Sequence, residues 1–176
     1  NYSIGGILID YKNNYCIKNK KDYFITEVDE SDGSFQKLKL DFILINNLSN
    51  DHMDYYKNFN NLVNTFANYI NENNFKKIFL NLSDVGCCRL LNLIKNKNNV
   101  LSYGYSKNYK YYGKFIKLKK PYKISEKFSE FIYMNTILKT KLSAKFNINN
   151  LIGSLALCNY IGCDTKSLEI PIKKYS

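Results

Sequence analysis

Residues 23–56 read YFITEVDESDGSFQKLKLDFILINNLSNDHMDYY, and this stretch decides how the rest of the chain is read. YFITEV (residues 23–28) and FILINNL (residues 42–48) are short apolar runs bounded by polar, turn-forming residues, the pattern of short buried strands. Acidic side chains crowd around both. Glu27, Asp29, Glu30 and Asp32 surround the end of the first, Asp41 opens the second, and Asp51 and Asp54 follow it, with the only histidine, His52, between them. Seven of the fifteen carboxylates thus fall in 34 positions of a chain whose net charge is +11. Carboxylates held so close repel one another unless a cation or another positive group offsets the repulsion, so a metal site at one edge of a sheet is expected. By ligand softness an imidazole among carboxylates suggests a transition metal; the structural alternative is a loop histidine bonded to a neighbouring aspartate.

Downstream, the hydrophobic period alternates between strand and helix. NFNNLVNTFANYI carries Phe59, Leu62, Val63, Phe66 and Ile70 at helical spacing behind a capping Asn58. Within KKIFLNLS, residues 77–83 read as a strand, and Asp84 as the cap of a helix through CCRLLNLIK. VLSYGYS (residues 100–106) is a further strand. In the stretch between the first two strands, SDGSFQKLKL holds a turn or a short helix, with Ser31 or Asp32 as its cap. Strand–helix–strand repeats with short loops imply parallel pairing, with ligands bound beyond the strand C-termini. From 109 to 146 the pattern becomes alternating, with Pro121 and no helical period, and predicts a small antiparallel β-meander. A helix is expected over 148–160, then another capped by Asp164 that Pro171 stops or bends early. The predicted fold class is therefore α/β: a mostly parallel sheet flanked by helices, with a small antiparallel subsheet, in one domain.

Composition excludes several classes. No run of eighteen apolar residues occurs, and the first residues, NYSIGGILIDYKNN, lack the pattern of a signal peptide. The five cysteines have no zinc or CxxC spacing and read as reduced thiols of a cytoplasmic protein. All but one of the 26 basic residues are lysine, the exception being Arg89, and they are scattered through every segment. Base readout favours arginine and needs clustering on one face, so neither a nucleic-acid nor a membrane partner is expected.

EVDESDGSF, followed at the right separation by NNLSNDHMDYY, resembles the central, ATP-binding domain of the Mur ligases, whose pattern is E-A-D-E-S-D-x-S-F and then T-N-I-x-x-D-H-M-D. The spelling is nearest that of the alanine-adding branch. Looser similarity covers the remainder: LNLSDVGCCRLL resembles D-D-P-x-x-R-E-L with Asp84 and Arg89 retained, SYGYS resembles T-Y-G-F-S, and LSAKFNINNLIGSLAL resembles P-G-x-H-N-x-x-N-A-x-A-A. The resemblance implies a P-loop-NTPase-like fold and an ATP-dependent ligase that joins L-alanine to UDP-N-acetylmuramate through an acyl phosphate, in peptidoglycan precursor synthesis. It implies ATP and Mg²⁺ as cofactors, and N- and C-terminal domains of the same ligase as partners. Glu27 and His52 match the magnesium-site positions, His52 also standing at the catalytic centre. Asn47 matches the substrate-side asparagine, and Asn147 and Asn150 match the pair that hydrogen-bonds the adenine. Read from the residues alone, Glu27 is an N-capping or turn carboxylate and Asn47 a turn residue, while Asn147 and Asn150 are equally ordinary helix caps.

Departures from the pattern accompany these matches. Phe146 stands where the family has a histidine, able to stack on a base but not to hydrogen-bond it, and Ala144 replaces a glycine. The chain contains no G-x-x-G-K-S/T phosphate loop, and NYSIGG resembles the P-T-x-x-I-G-G that follows that loop in the family, so residues 1–176 are expected to be a central domain lacking that segment. Two alternatives stand beside the alanine-adding reading: another Mur-type ligase, and an inactive remnant serving as a scaffold.

Overall fold

The computed structural model describes residues 1–8, 12–17, 23–104, 114–117, 119–124 and 128–174. The chain divides into two compact units, Asn1–Leu38 and Lys39–Ser176.

The first unit is a three-stranded sheet of order β2-β1-β3. β1 (Tyr2–Leu8) and β2 (Asn13–Cys16) form an antiparallel hairpin with Tyr2 opposite Cys16 and an irregular register between Ser3 and Leu8. β3 is only Ile25–Thr26, paired parallel to β1 through Tyr2 and Ser3. The strand expected over 23–28 thus shrinks to two residues, and its partner is the N-terminal strand, which hydrophobic period does not reveal. It is also not buried: Tyr23, Phe24 and Ile25 are 43%, 57% and 57% exposed. Beyond it, the Asp29 carboxylate accepts the Ser31 N–H and the Asp32 carboxylate the Ser34 N–H, both at 2.8 Å. These local turns compete with continued strand. The bonds from Ser34 hold the Asp32 carboxyl below its ordinary value. They lead into a single 3-10 turn, Ser34–Lys37, whose cap position is Gly33 with no side-chain bond, and whose Phe35 is buried. Asp32 therefore serves the turn from one position before the cap.

The second unit is built on a four-stranded parallel sheet of order β4-β5-β6-β7, comprising β4 (Phe42–Ile45), β5 (Lys77–Asn81), β6 (Val100–Gly104) and β7 (Lys114–Lys117). A short α1 (Met53–Tyr56) and then α2 (Phe59–Glu72) connect β4 to β5. α3 (Val85–Leu93) connects β5 to β6. Both expected caps are present: Asn58 accepts from the Asn61 N–H at 2.9 Å and Asp84 from the Cys87 N–H at 2.7 Å. A strand flanked on both sides and covered on both faces must be apolar throughout, and Phe79 and Leu80 of β5 are wholly inaccessible. Phe79 and Leu101 pack on Ala156 of α4 (Lys145–Tyr160), whereas Ile78 faces Ile70 and Ile94 on the α2–α3 side. Each such side chain contributes about 1.5–3 kcal/mol by burial.

The region expected to be a meander from 109 to 146 is divided. β7 joins the parallel sheet beside β6, with Leu101 opposite Lys114. Only β8 (Lys119–Ile124), β9 (Ser129–Tyr133) and β10 (Thr136–Thr140) form the antiparallel subsheet. Residues 105, 106 and 109–113, over which a strand end and the start of the meander were expected, lie outside the described residues. Pro121 lies in edge strand β8, where a missing N–H is tolerated. Met134 and Asn135, both at positive φ, make the two-residue turn between β9 and β10. This subsheet supplies Phe131, Tyr133 and Leu138 to a cluster with Tyr103, Ile148, Ile152 and Leu155. Ile172 joins it from α5 (Glu169–Lys174). Pro171 does not stop that helix. It stands in its first turn, where the ring costs no hydrogen bond, and Asp164 precedes a separate 3-10 turn, Lys166–Leu168. No helix among the described residues is long and apolar enough to cross a membrane.

α3 meets the segment after β4 so closely that a Cβ on Gly86 would collide with the carbonyl oxygen and Cβ of Leu48. Gly86→Ala gains about 1 kcal/mol of helix propensity but is overpacked against backbone, so a net loss of about 2 kcal/mol is expected. In thermal unfolding of the full-length protein this lowers Tm by about 5 °C; an unchanged Tm would mean that α3 does not press on Leu48.

Candidate functional site

Strand ends leave backbone groups to be satisfied, and at the C-terminal edge of the parallel sheet side chains do this. Asp84, the cap of α3, also accepts the Leu48 N–H at 3.1 Å, tying the segment after β4 to the start of the next helix. Asn81, last residue of β5, accepts the Ser83 N–H at 2.9 Å and donates to the Asn46 carbonyl at 3.0 Å. The Asn46 side-chain oxygen accepts the Tyr103 hydroxyl at 2.7 Å. Asn46 is therefore gripped from β5 and β6, and the next residue, Asn47, is exposed.

His52 follows on the same segment. Its backbone is left-handed (φ 56°, ψ 38°), an uncommon conformation for a residue with a side chain. The Asp51 carboxylate accepts the His52 N–H at 2.8 Å, and the His52 carbonyl accepts the N–H groups of Tyr55 and Tyr56, starting α1. Asp51 thus acts on the backbone of His52. Strain of this kind collects where a side chain must be aimed.

α4 brings Asn147 and Asn150 to this edge. Gly153 lies against Tyr103 and Leu44, and Tyr160 stacks edge-on against Phe42 and Phe79 and lies under Lys77, where Phe42 and Lys77 are the first residues of β4 and β5. The helix therefore runs antiparallel to the strands. At 1.5 Å per residue, Asn147 stands about 9 Å beyond Gly153 towards the C-terminal edge. Capping does not account for the two asparagines: the cap position is Ala144, with no side-chain bond, and both lie inside the helix, one turn apart. Phe146 beside them is 66% exposed.

Glu27 belongs to the first unit. It follows β3 directly, its N–H donating to the Ser3 carbonyl at 2.9 Å, and its side chain is exposed. One carboxylate oxygen accepts the Gly5 N–H at 2.7 Å, so the group is oriented and its other oxygen is not engaged by that bond. Among the described residues no three of His, Cys, Asp and Glu gather into a metal-holding cluster. A hard cation that takes most of its shell from water and phosphate oxygens suits so sparse a donor set better than a cage-demanding one.

Asn47, His52, Asn147 and Asn150 thus belong to one edge of the second unit, and Glu27 is a separate feature of the first. Asn46, Asn81, Tyr103 and Gly153 escape sequence reasoning. In so asparagine-rich a chain no single asparagine stands out, and a strand tyrosine or a helix glycine carries no signal of its own.

The model of the Mur ligase middle domain matches residues 11–158. The chain is 28% identical to the UDP-N-acetylmuramate–L-alanine ligase of Francisella philomiragia, over 95% of its own length and 37% of that protein's. It is 30% identical to the ligase of the same name from Pelagibacter ubique, over 97% of its length and 38% of that protein's. Among solved structures it resembles the UDP-N-acetylmuramate–alanine ligase of Thermotoga maritima (TM-score 0.72, 20% identity, covering 98% of this chain and 38% of that one). It also resembles MurF of Acinetobacter baumannii (TM-score 0.70, 9% identity, 91% and 36% covered). The chain spans little more than a third of the length of these relatives. A four-stranded parallel sheet whose C-terminal edge carries the N-N-L-x-x-D-H-M-D segment, matched over most of its length by one family model, makes this chain a member of the Mur ligase middle-domain family.

Proposed function

We propose that this chain is the nucleotide-handling middle domain of a cytoplasmic, ATP-dependent ligase that joins L-alanine to UDP-N-acetylmuramate. What supports the reading is that Asn47 and His52 follow the C-terminal end of β4, where α/β folds bind ligands, and that α4 rests on Tyr103 through Gly153 with Asn147 and Asn150 in the turns before it. The alanine-adding specificity is supported by the relatives named above, which align over nearly the whole chain.

In the proposed reaction the sugar's lactyl carboxylate attacks the γ-phosphorus of ATP, and ADP leaves. The alanine amine then attacks the acyl phosphate, and inorganic phosphate leaves from the tetrahedral intermediate as the amide forms. This chemistry rests on positioning and on neutralising phosphate charge. Asn147 and Asn150 hold the adenine edge, with Phe146 offering a ring face where a hydrogen bond is lost. Asn47 donates to a substrate carboxylate or phosphate. Glu27 and His52 are the proposed holders of Mg²⁺, which when bound draws charge from the phosphate oxygens. The carboxylate suits a hard cation by its chemistry; the imidazole is a softer donor, and its assignment follows the resemblance of DHMD. Domains before and after this one would bind the uridine end and complete the site by closing.

ADP release by the full-length protein tests the reading: turnover should require UDP-N-acetylmuramate and L-alanine together. Turnover with a peptidyl sugar instead would indicate another Mur-type ligase, and none with any acceptor would indicate the remnant. In the active protein, Glu27→Ala and His52→Ala should each lower kcat by at least about 100-fold, the scale of losing a charge-stabilising group, with Tm unchanged. His52→Gly separates side chain from backbone, because glycine adopts the left-handed conformation freely; it should lose as much as His52→Ala. Full activity in any of these variants removes that residue from the site. Asn150→Ala should raise KM for ATP about tenfold while leaving KM for alanine alone, as expected for one lost hydrogen bond.

A further inference from the structure

Tyr103 lies at the C-terminal end of β6 and is wholly inaccessible. Its ring belongs to the apolar cluster with Phe131, Leu138, Ile148 and Ile152, yet its hydroxyl leaves that cluster to reach Asn46. Burial, with Cys87 and Asp84 nearby, pushes the phenol far above its ordinary value, so the hydroxyl remains a donor at every relevant pH. The same hydroxyl is the atom on which α4 rests: a Cβ on Gly153 would collide with it and come within 2.8 Å of the ring carbon that bears it. Leu44 of β4 closes the same point, 2.9 Å from that Cβ position. One oxygen atom therefore meets both the helix carrying Asn147 and Asn150 and the segment that runs from Asn46 through Asn47 to His52.

We propose that Tyr103 is a positioning residue whose hydroxyl sets the distance and register between α4 and the Asn46–His52 segment. It would thereby align the adenine-side asparagines with the groups that face the reacting phosphate. The kinetic consequence rests on the proposed ligase function; the geometric one does not. A ring that only fills the core would serve equally well as phenylalanine. A positioning hydroxyl would not, because without it the Asn46 amide oxygen loses its donor and the segment is left to the bonds from Asn81 and to Asp84, which do not touch α4.

The test is Tyr103→Phe in the full-length protein, with Asn46→Ala and the double variant. Misalignment should lower kcat per mole of folded enzyme about tenfold, with KM for L-alanine within about twofold of the parent; normalising to the folded fraction removes the fall in apparent kcat that general destabilisation would produce. Because the two groups act through one bond, the double variant should be no worse than Asn46→Ala alone, within about twofold. In hydrogen exchange, the Leu48 amide, which donates to Asp84, should exchange about tenfold faster in Tyr103→Phe, as local opening becomes easier. Parental kcat, or losses that multiply in the double variant, would overturn the proposal. Should the parent protein show no ligase turnover, the function fails separately, and exchange at Leu48 decides alone: acceleration supports the positioning role and parental exchange overturns it. Should Tyr103→Phe fail to fold, Asn46→Ala breaks the same bond from its other end and is read by the same two measurements.

Discussion

At the C-terminal edge of the parallel sheet, one carboxylate and two amides hold three connections in place. Asp84 receives backbone N–H groups from both the start of α3 and the segment after β4, Asn81 bridges its own turn to the Asn46 carbonyl, and Asn46 takes the Tyr103 hydroxyl. The apolar strands need none of this to stay buried. What they cannot do is satisfy the backbone groups that appear where strands end, and a buried group left without a partner costs about 1–3 kcal/mol. Meeting that demand with side chains from neighbouring strands has a second effect. It turns a flexible loop into a fixed platform on which Asn47 and His52 are displayed.

The same demand accounts for much of the acidic cluster that makes the sequence unusual. Asp29 and Asp32 bind N–H groups in their own turns, Asp51 binds the N–H of His52, and Asp41 pairs with Lys76 at 2.9 Å. Charge repulsion among them is eased by these donors, so proximity in sequence does not by itself require a cation. Glu27 differs in kind. Its acceptor bond comes from Gly5 of β1, twenty-two residues away, and ties the carboxylate to a neighbouring strand instead of closing a local turn. A long-range constraint on one exposed carboxylate is a better sign of function than the number of carboxylates around it.

How much of this was legible depends on whether the signal was local. The units running from β4 through β6 announced themselves by helical and strand periods, and their caps by Asn58 and Asp84, because burial of one face imposes those patterns on the sequence. The N-terminal hairpin did not, being short, glycine-containing and partly exposed. The sequence pattern places β7 in the antiparallel subsheet and the structure places it beside β6, because alternation identifies a strand but carries no information about its partner. Within the site, the DHMD and N-x-x-N spellings were recognisable, whereas the Asn46–Tyr103 bond joins residues 57 positions apart and leaves no trace in either neighbourhood.

The course of α4 explains why its N-terminus, and not its length, matters to the site. The helix crosses the whole sheet, from the Asn147 edge down to Tyr160 beside Phe42, Phe79 and Lys77. Ala156 and Leu157 seat the helix on Phe79 and Leu101, and Ile148, Ile152 and Leu155 seat it among residues of the antiparallel subsheet. Apolar contacts on several sides leave few exposed positions to define a polar stripe, which is why the helix has almost no amphipathic signature in sequence. Packed interiors move as blocks and do not deform smoothly, so a helix anchored along most of its length transmits any shift at Gly153 to Asn147 and Asn150. Asn147 and Asn150 therefore take their position from the sheet core, where one glycine of the helix fits over one tyrosine hydroxyl.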